Sequence, residues 1–242
     1  MRILSKRIGP GAKLPFFRYD TPYSAQNSFR QLLAQTAPLV LVFMSNFGHP
    51  VTRTFAGRYA RTFDALTGGG FALVVRSRAD KLSRAVGPDT LPYPLLCDAK
   101  GVLYDLLDIP ARSGALATYS LEAWQIMREA KKHGYRPPRN GVQQLPLTLV
   151  LAADGTVLFS HYGASLTDVP ADCAAVQKLL EDLDVPLPTG SDDEDSDVTI
   201  YAGPGEVPDI PGLSSRIHES SGPELEQTAA FGLFGDPYPE EK

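Results

Sequence analysis

Leu39-Val-Leu-Val-Phe-Met44, continued by Ser45-Asn-Phe-Gly-His-Pro-Val-Thr-Arg53, is the stretch on which the fold turns. Its first six residues are apolar without interruption and rich in branched side chains, the pattern of a strand buried on both faces. A helix follows from about Val51 to Leu66, with Phe55, Tyr59, Phe63 and Leu66 at helical spacing. Gly68-Gly-Gly70 ends it, and Phe71-Ala-Leu-Val-Val75 is a second buried strand. The glycines follow a helix and precede a strand, the reverse of the order that cradles phosphate.

The alternation continues outward. A helix is expected over 78–86, stopped by Gly87-Pro88, then a strand over 93–97 and a short helix over 101–107. Strands 147–151 and 156–160 flank Ala153-Asp-Gly155, a strong hairpin signal, and an amphipathic helix closes the body over 172–183. Between them, about 110–144 reads as an insertion with a helix near 121–132 and a loop over 135–141. Early βαβ order with a late hairpin predicts an α/β fold: a mixed central sheet flanked by helices.

Charge divides the chain. Residues 1–187 hold 21 Lys and Arg against 15 Asp and Glu, whereas 188–242 hold 2 against 13, so a net −5 joins a +6 body to a −11 tail. With its acidic block at 191–197 and seven prolines, the segment 188–242 is expected to be disordered. The apolar islands Val198–Tyr201 and Phe231–Phe234 are read as linker. The body, 1–187, is read as one domain. The acidic block could fold back onto basic side chains of the body, such as Arg53, Arg58 and Arg61, or Arg76, Arg78, Lys81 and Arg84, or Arg128, Lys131, Lys132, Arg136 and Arg139. Solvated helix faces are the plainer account of those runs. Neither a nucleic-acid partner nor a membrane is expected, since overall charge is acidic and no apolar run reaches spanning length. With no signal-peptide core at the N-terminus, a cytoplasmic location is expected. Two cysteines, Cys97 and Cys173, exclude a disulfide-rich scaffold and a four-cysteine zinc site.

The body resembles the thioredoxin-like superfamily, and within it the peroxiredoxin-like proteins of AhpC/TSA type. Leu14-Pro-Phe-Phe-Arg-Tyr-Asp20 is similar to the opening strand, and Leu39–Arg53 to the active-site strand and loop. Tyr93-Pro-Leu-Leu-Cys-Asp98 with Leu103-Tyr104 is similar to the next strand and helix. Gln144-Leu-Pro-Leu-Thr148, Asp154-Gly155 and His161-Tyr-Gly163 resemble the closing hairpin. The likeness spans most of residues 10–185 and leaves the tail outside.

The resemblance implies thiol chemistry at the helix N-terminus, where unpaired N–H groups and the dipole favour thiolate. The positions matching the two cysteines of that loop are His49 and Thr52; in a second register, Pro50 and Thr54 fit and the nucleophile position is Gly57. Neither register holds a cysteine. His49 and Thr52 then read as a helix cap, with the Thr52 hydroxyl on backbone N–H groups and His49 in solvent; the alternative makes His49 a base or metal ligand. The resemblance also implies a cis peptide before Pro146 and beside it an exposed edge able to pair with an extended peptide.

The expected function is that of a degenerate peroxiredoxin-like protein: a non-catalytic binding module for a protein, a peptide or a small ligand. Its cleft would be formed by Phe47, Gly48, His49, Pro50, Thr52, Leu145 and Pro146, with no cofactor and no metal. The alternative is an AhpC/TSA-type antioxidant oxidoreductase working through Cys97. That thiol ends a strand next to Asp98, whose charge raises its pKa, and Cys173 starts the last helix as a packing or surface residue.

Overall fold

The computed structural model describes residues 7–114, 118–137 and 142–183. The tail 188–242, the boundary at 187 and Arg139 lie outside the described residues.

Five strands form the central sheet in the order β5-β4-β3-β8-β9: β3 (Leu39–Met44), β4 (Gly70–Val75), β5 (Leu95–Cys97), β8 (Leu147–Leu151) and β9 (Val157–Tyr162). β3, β4 and β5 are parallel, β8 adds to β3 antiparallel and β9 to β8 antiparallel, giving the mixed sheet expected from the order of elements. β3 is buried along its whole length because both faces are covered. Val40, Val42 and Met44 join one apolar layer with Phe55, Tyr59, Phe71 and Val176; Leu39, Leu41 and Phe43 join the other with Phe17, Phe29, Leu33 and Tyr104. That is period-two alternation with no polar side.

The first layer belongs to α2 (Pro50–Arg61) and α6 (Cys173–Asp182), the second to α1 (Phe29–Thr36) and α4 (Val102–Leu106), while α3 (Ala79–Ala85) links β4 to β5. α2 ends earlier than the periodicity predicts. The Thr62 hydroxyl donates to Arg58 O, its backbone leaves helical geometry, and Phe63–Ala65 continue as a 3-10 turn. The glycine run has a purely structural use: Gly69 has φ +86°, and a Cβ there would lie 2.4 Å from Pro38 O.

Within the expected opening strand Leu14–Asp20, Arg18–Tyr19 (β1) forms strand, paired with Asn27–Ser28 (β2) and not with the central sheet. Single bridges, Lys13 to Thr156 and Asp20 to Cys97, tie this segment to the sheet. The third sheet strand is shorter than expected, starting at Leu95 after Pro94, whose carbonyl takes the Leu73 N–H.

The insertion holds its helix where the spacing predicts it, α5 (Leu121–Lys132), and α5 packs on α2. A feature the sequence reading lacked is a strand pair made by the two ends of the insertion, β6 (Ala111–Ser113) with β7 (Val142–Gln144), antiparallel. Among the described residues, no helix is long and apolar enough to cross a membrane.

Candidate functional site

The site is the junction of β3 with α2. Beyond Met44 the chain turns through Ser45–Gly48, fixed by the Phe47 N–H on Ser77 Oγ at 2.8 Å and the His49 N–H on Asn46 O at 3.1 Å. His49 then caps α2: its backbone is extended and its Nδ1 accepts the Val51 N–H at 3.3 Å. Pro50, with no N–H to satisfy, sits in the first helical turn.

The capping roles expected here are exchanged. His49 is 1% exposed, not in solvent. The Thr52 hydroxyl pairs with Ser45 Oγ at 3.1 Å, away from the backbone N–H groups. The reason is the insertion. Tyr119 precedes α5 and Tyr135 follows it, and their rings lie edge-on to the His49 ring at 6.5 and 6.3 Å between centroids. α5 is held over α2 by the Arg58–Glu122 ion pair, and its own start by the Ser120 cap. Burial, reinforced by the charge of Arg53, pushes the His49 pKa down to about 4, so the ring is neutral. Its Nε2 is buried without a hydrogen-bond partner.

Of the remaining expected residues, Phe47 and Leu145 are fully buried core, Pro50 and Pro146 are buried, and Gly48 is half-buried. Ser45, Thr52, Gln144 and Pro146 share the wall of a shallow dent of about 160 Å³, open mouth included, with no room for a water molecule. Thr52 and Pro146 are thus brought together, whereas His49 faces the tyrosines of the insertion.

Two expectations about Pro146 are corrected. Its preceding peptide is trans, and the cis bond among the described residues is Ala37–Pro38. The neighbouring edge is not open either. β7 is already paired with β6, and the Leu145 N–H donates to Pro110 O at 2.9 Å. A chain running extended from β7 into β8 keeps these bonds with a trans peptide, and Pro146 O accepts the Gly163 N–H at 2.9 Å on the far side.

Cys97 ends β5, beside Val75, which pairs in turn with Met44, so it stands two strands from the α2 junction, about 10 Å across the sheet. Burial pushes its thiol up to about 12, with Asp20, Asp80 and Asp98 adding to the shift in that order. Cys173 is a packing residue: it is fully buried at the start of α6, its Sγ lies 3.3 Å from Tyr59 O, and burial pushes it up to about 11. Neither environment supplies thiolate near neutral pH.

Several of the basic side chains are engaged locally. Arg58 pairs with Glu122, Arg78 with Asp80 and Lys132 with Glu129, while Arg76 reaches Gln144 Oε1 at 3.3 Å. Arg53, half-buried one turn into α2, belongs to the site. Among the described residues no three His, Cys, Asp or Glu side chains converge as a metal-ligating group. Ser45, Tyr119 and Tyr135 were missed by sequence reasoning. Ser45 could have been suspected from its place directly after the buried strand, but nothing local marks the tyrosines.

No family model matches the sequence, and no curated protein matches it. Solved structures do. Peroxidoxin BcpB from Mycobacterium tuberculosis aligns with 15% identity and a TM-score of 0.51, over 74% of this chain and 97% of that one. A thiol peroxidase from Chromobacterium violaceum aligns with 16% identity and a TM-score of 0.48, over 75% and 91%. A peroxiredoxin-like protein from Aquifex aeolicus aligns with 12% identity and a TM-score of 0.49, over 74% and 89%. At such identities the first of these carries the architecture and nothing more. The chain has a thioredoxin-like fold of the peroxiredoxin-like form.

Proposed function

We propose that this protein is a peroxiredoxin-fold module that binds a ligand at the N-terminal end of α2 and performs no thiol chemistry. One observation carries the reading: the helix end that the resemblance assigns to a reactive thiol holds His49 and Thr52, both 1% exposed. A threonine hydroxyl already paired with Ser45 forms no disulfide and is a poor nucleophile. Both thiols being buried with raised pKa values supports the same conclusion. Free buried thiols also suit a reducing compartment such as the cytoplasm.

The test is peroxide consumption with a small dithiol as reductant, comparing wild type with the double variant His49→Cys, Thr52→Cys. Wild type should match the protein-free rate, and the double variant should exceed it, because two thiols then stand at the helix start. Wild-type turnover that vanishes in Cys97→Ser would restore the oxidoreductase reading.

A further inference from the structure

His49 accepts the Val51 N–H through Nδ1, and a neutral imidazole with one ring nitrogen acting as acceptor carries its proton on the other. Nε2 is therefore an N–H donor, and it is buried without an acceptor. Such donors are rare in folded proteins and call for an explanation. The surroundings indicate what is missing. Arg53, four residues on and so on the same helix side, places a cation close enough to depress the His49 pKa. The N-terminus of a twelve-residue helix adds positive potential. Tyr119 and Tyr135 flank the histidine with aromatic edges, which suits a ligand with an apolar side better than a fully hydrated polyanion.

We infer that the α2 terminus binds a carboxylate, with His49 Nε2–H as donor, the Arg53 guanidinium as countercharge and the rings of Tyr119 and Tyr135 as walls. The inference rests on the binding-module reading and names its ligand class. Tyr119 and Tyr135 are both half-buried, so the rings beside His49 reach solvent. A free carboxylic acid and the C-terminal carboxylate of a peptide present the same group, and the experiment separates them.

Histidine-selective proton–nitrogen NMR on the full chain reads the Nε2–H directly. Sodium acetate at constant ionic strength is the first probe, a short peptide with a free C-terminus the second, and chloride and the C-amidated peptide are the controls. A saturable shift of the His49 Nε2–H with acetate, or only with the free-ended peptide, supports the site and identifies the source. His49→Asn keeps an acceptor for Val51 and removes the Nε2–H, leaving only an amide N–H closer to the backbone; calorimetric titration with the same carboxylate, which needs no His49 signal, should then show no binding, with an unchanged circular dichroism spectrum. Arg53→Gln should weaken binding about tenfold or more, as expected for a lost charge-assisted contact, and carries the test if His49→Asn does not fold. Absence of a saturable shift with either carboxylate, an equal response to chloride, or undiminished binding by Arg53→Gln overturns the inference. These results leave the peroxide assay untouched: a silent NMR titration with no peroxide turnover removes the ligand class alone, whereas thiol-dependent turnover removes the reading beneath it.

Discussion

At its C-terminal half α2 buries Phe55, Ala56 and Tyr59 and gives its polar groups to neighbours. The Tyr59 hydroxyl donates to Pro170 O at 2.6 Å, the Tyr93 hydroxyl donates to Ala56 O at 2.7 Å, and the Cys173 N–H donates to Thr62 Oγ1 at 3.0 Å. At its N-terminal end the burial is the same, but the His49 Nε2 donor meets no acceptor. Two ends of one helix, equally dry, differ in whether their hydrogen bonds close. The closed end is what packing alone produces; the open end is a polar group kept buried at a cost to stability, the ordinary mark of a site that serves something besides folding.

That contrast can be broken at several points. The largest effect is expected at the closed end. Tyr59→Ala removes a fully buried ring and its hydroxyl donor and should cost about 3–5 kcal/mol in denaturant unfolding. A small loss would show that this end of α2 is not closed by packing in the way the contrast requires.

Next comes the pH profile of the open end. His49 titrates near 6.5 when unfolded and near 4 when folded, so burial in the neutral form leaves stability intact above pH 6.5. Stability then falls as pH drops toward 4, because the unfolded chain binds the proton more readily, and the His49 share of the loss reaches about 3 kcal/mol. Subtracting the profile of His49→Asn isolates this share from carboxylates such as Asp80 and Asp168, which hydrogen bonds to the charged form hold low. Parallel profiles for the two proteins would mean that His49 is not kept neutral.

A smaller effect is expected between the two ends. Thr52→Val preserves shape but strands the Ser45 hydroxyl, and should cost about 1–2 kcal/mol by thermal or chemical unfolding. The smallest tests whether an orphaned group is always functional. Thr148 Oγ1 on β8 is also buried without a partner; its register with Val42 puts it on the sheet face that α2 covers. Thr148→Val should be neutral or stabilising by up to about 1 kcal/mol, with no change in the acetate response of His49. A large loss would point to a partner for that hydroxyl.

The order of elements was legible because it depends on patterns that sequence carries openly. The unbroken run of β3, the helical spacing of Val51, Phe55 and Tyr59, and the Asp154-Gly155 turn each impose one local structure. The site was legible only in part. His49 and Thr52 could be located by their place after β3, but their roles could not, since those depend on Tyr119 and Tyr135, some 70 and 86 positions away in the chain. An insertion read as an appendage gave no reason to bury a histidine. The peptide before Pro146 was misjudged for the same cause: its geometry answers to Ala111–Ser113, and a proline in a sequence does not announce which distant strand its neighbours will join.

The pairing of β6 with β7 has a further consequence for recognition. Extended peptides can bind by adding a strand to an open sheet edge, and here the insertion offers its own strand at the segment leading to Pro146. Because both strands belong to one chain, any incoming peptide competes against an effective local concentration on the order of millimolar. The insertion is thus a tethered rival to strand-adding ligands.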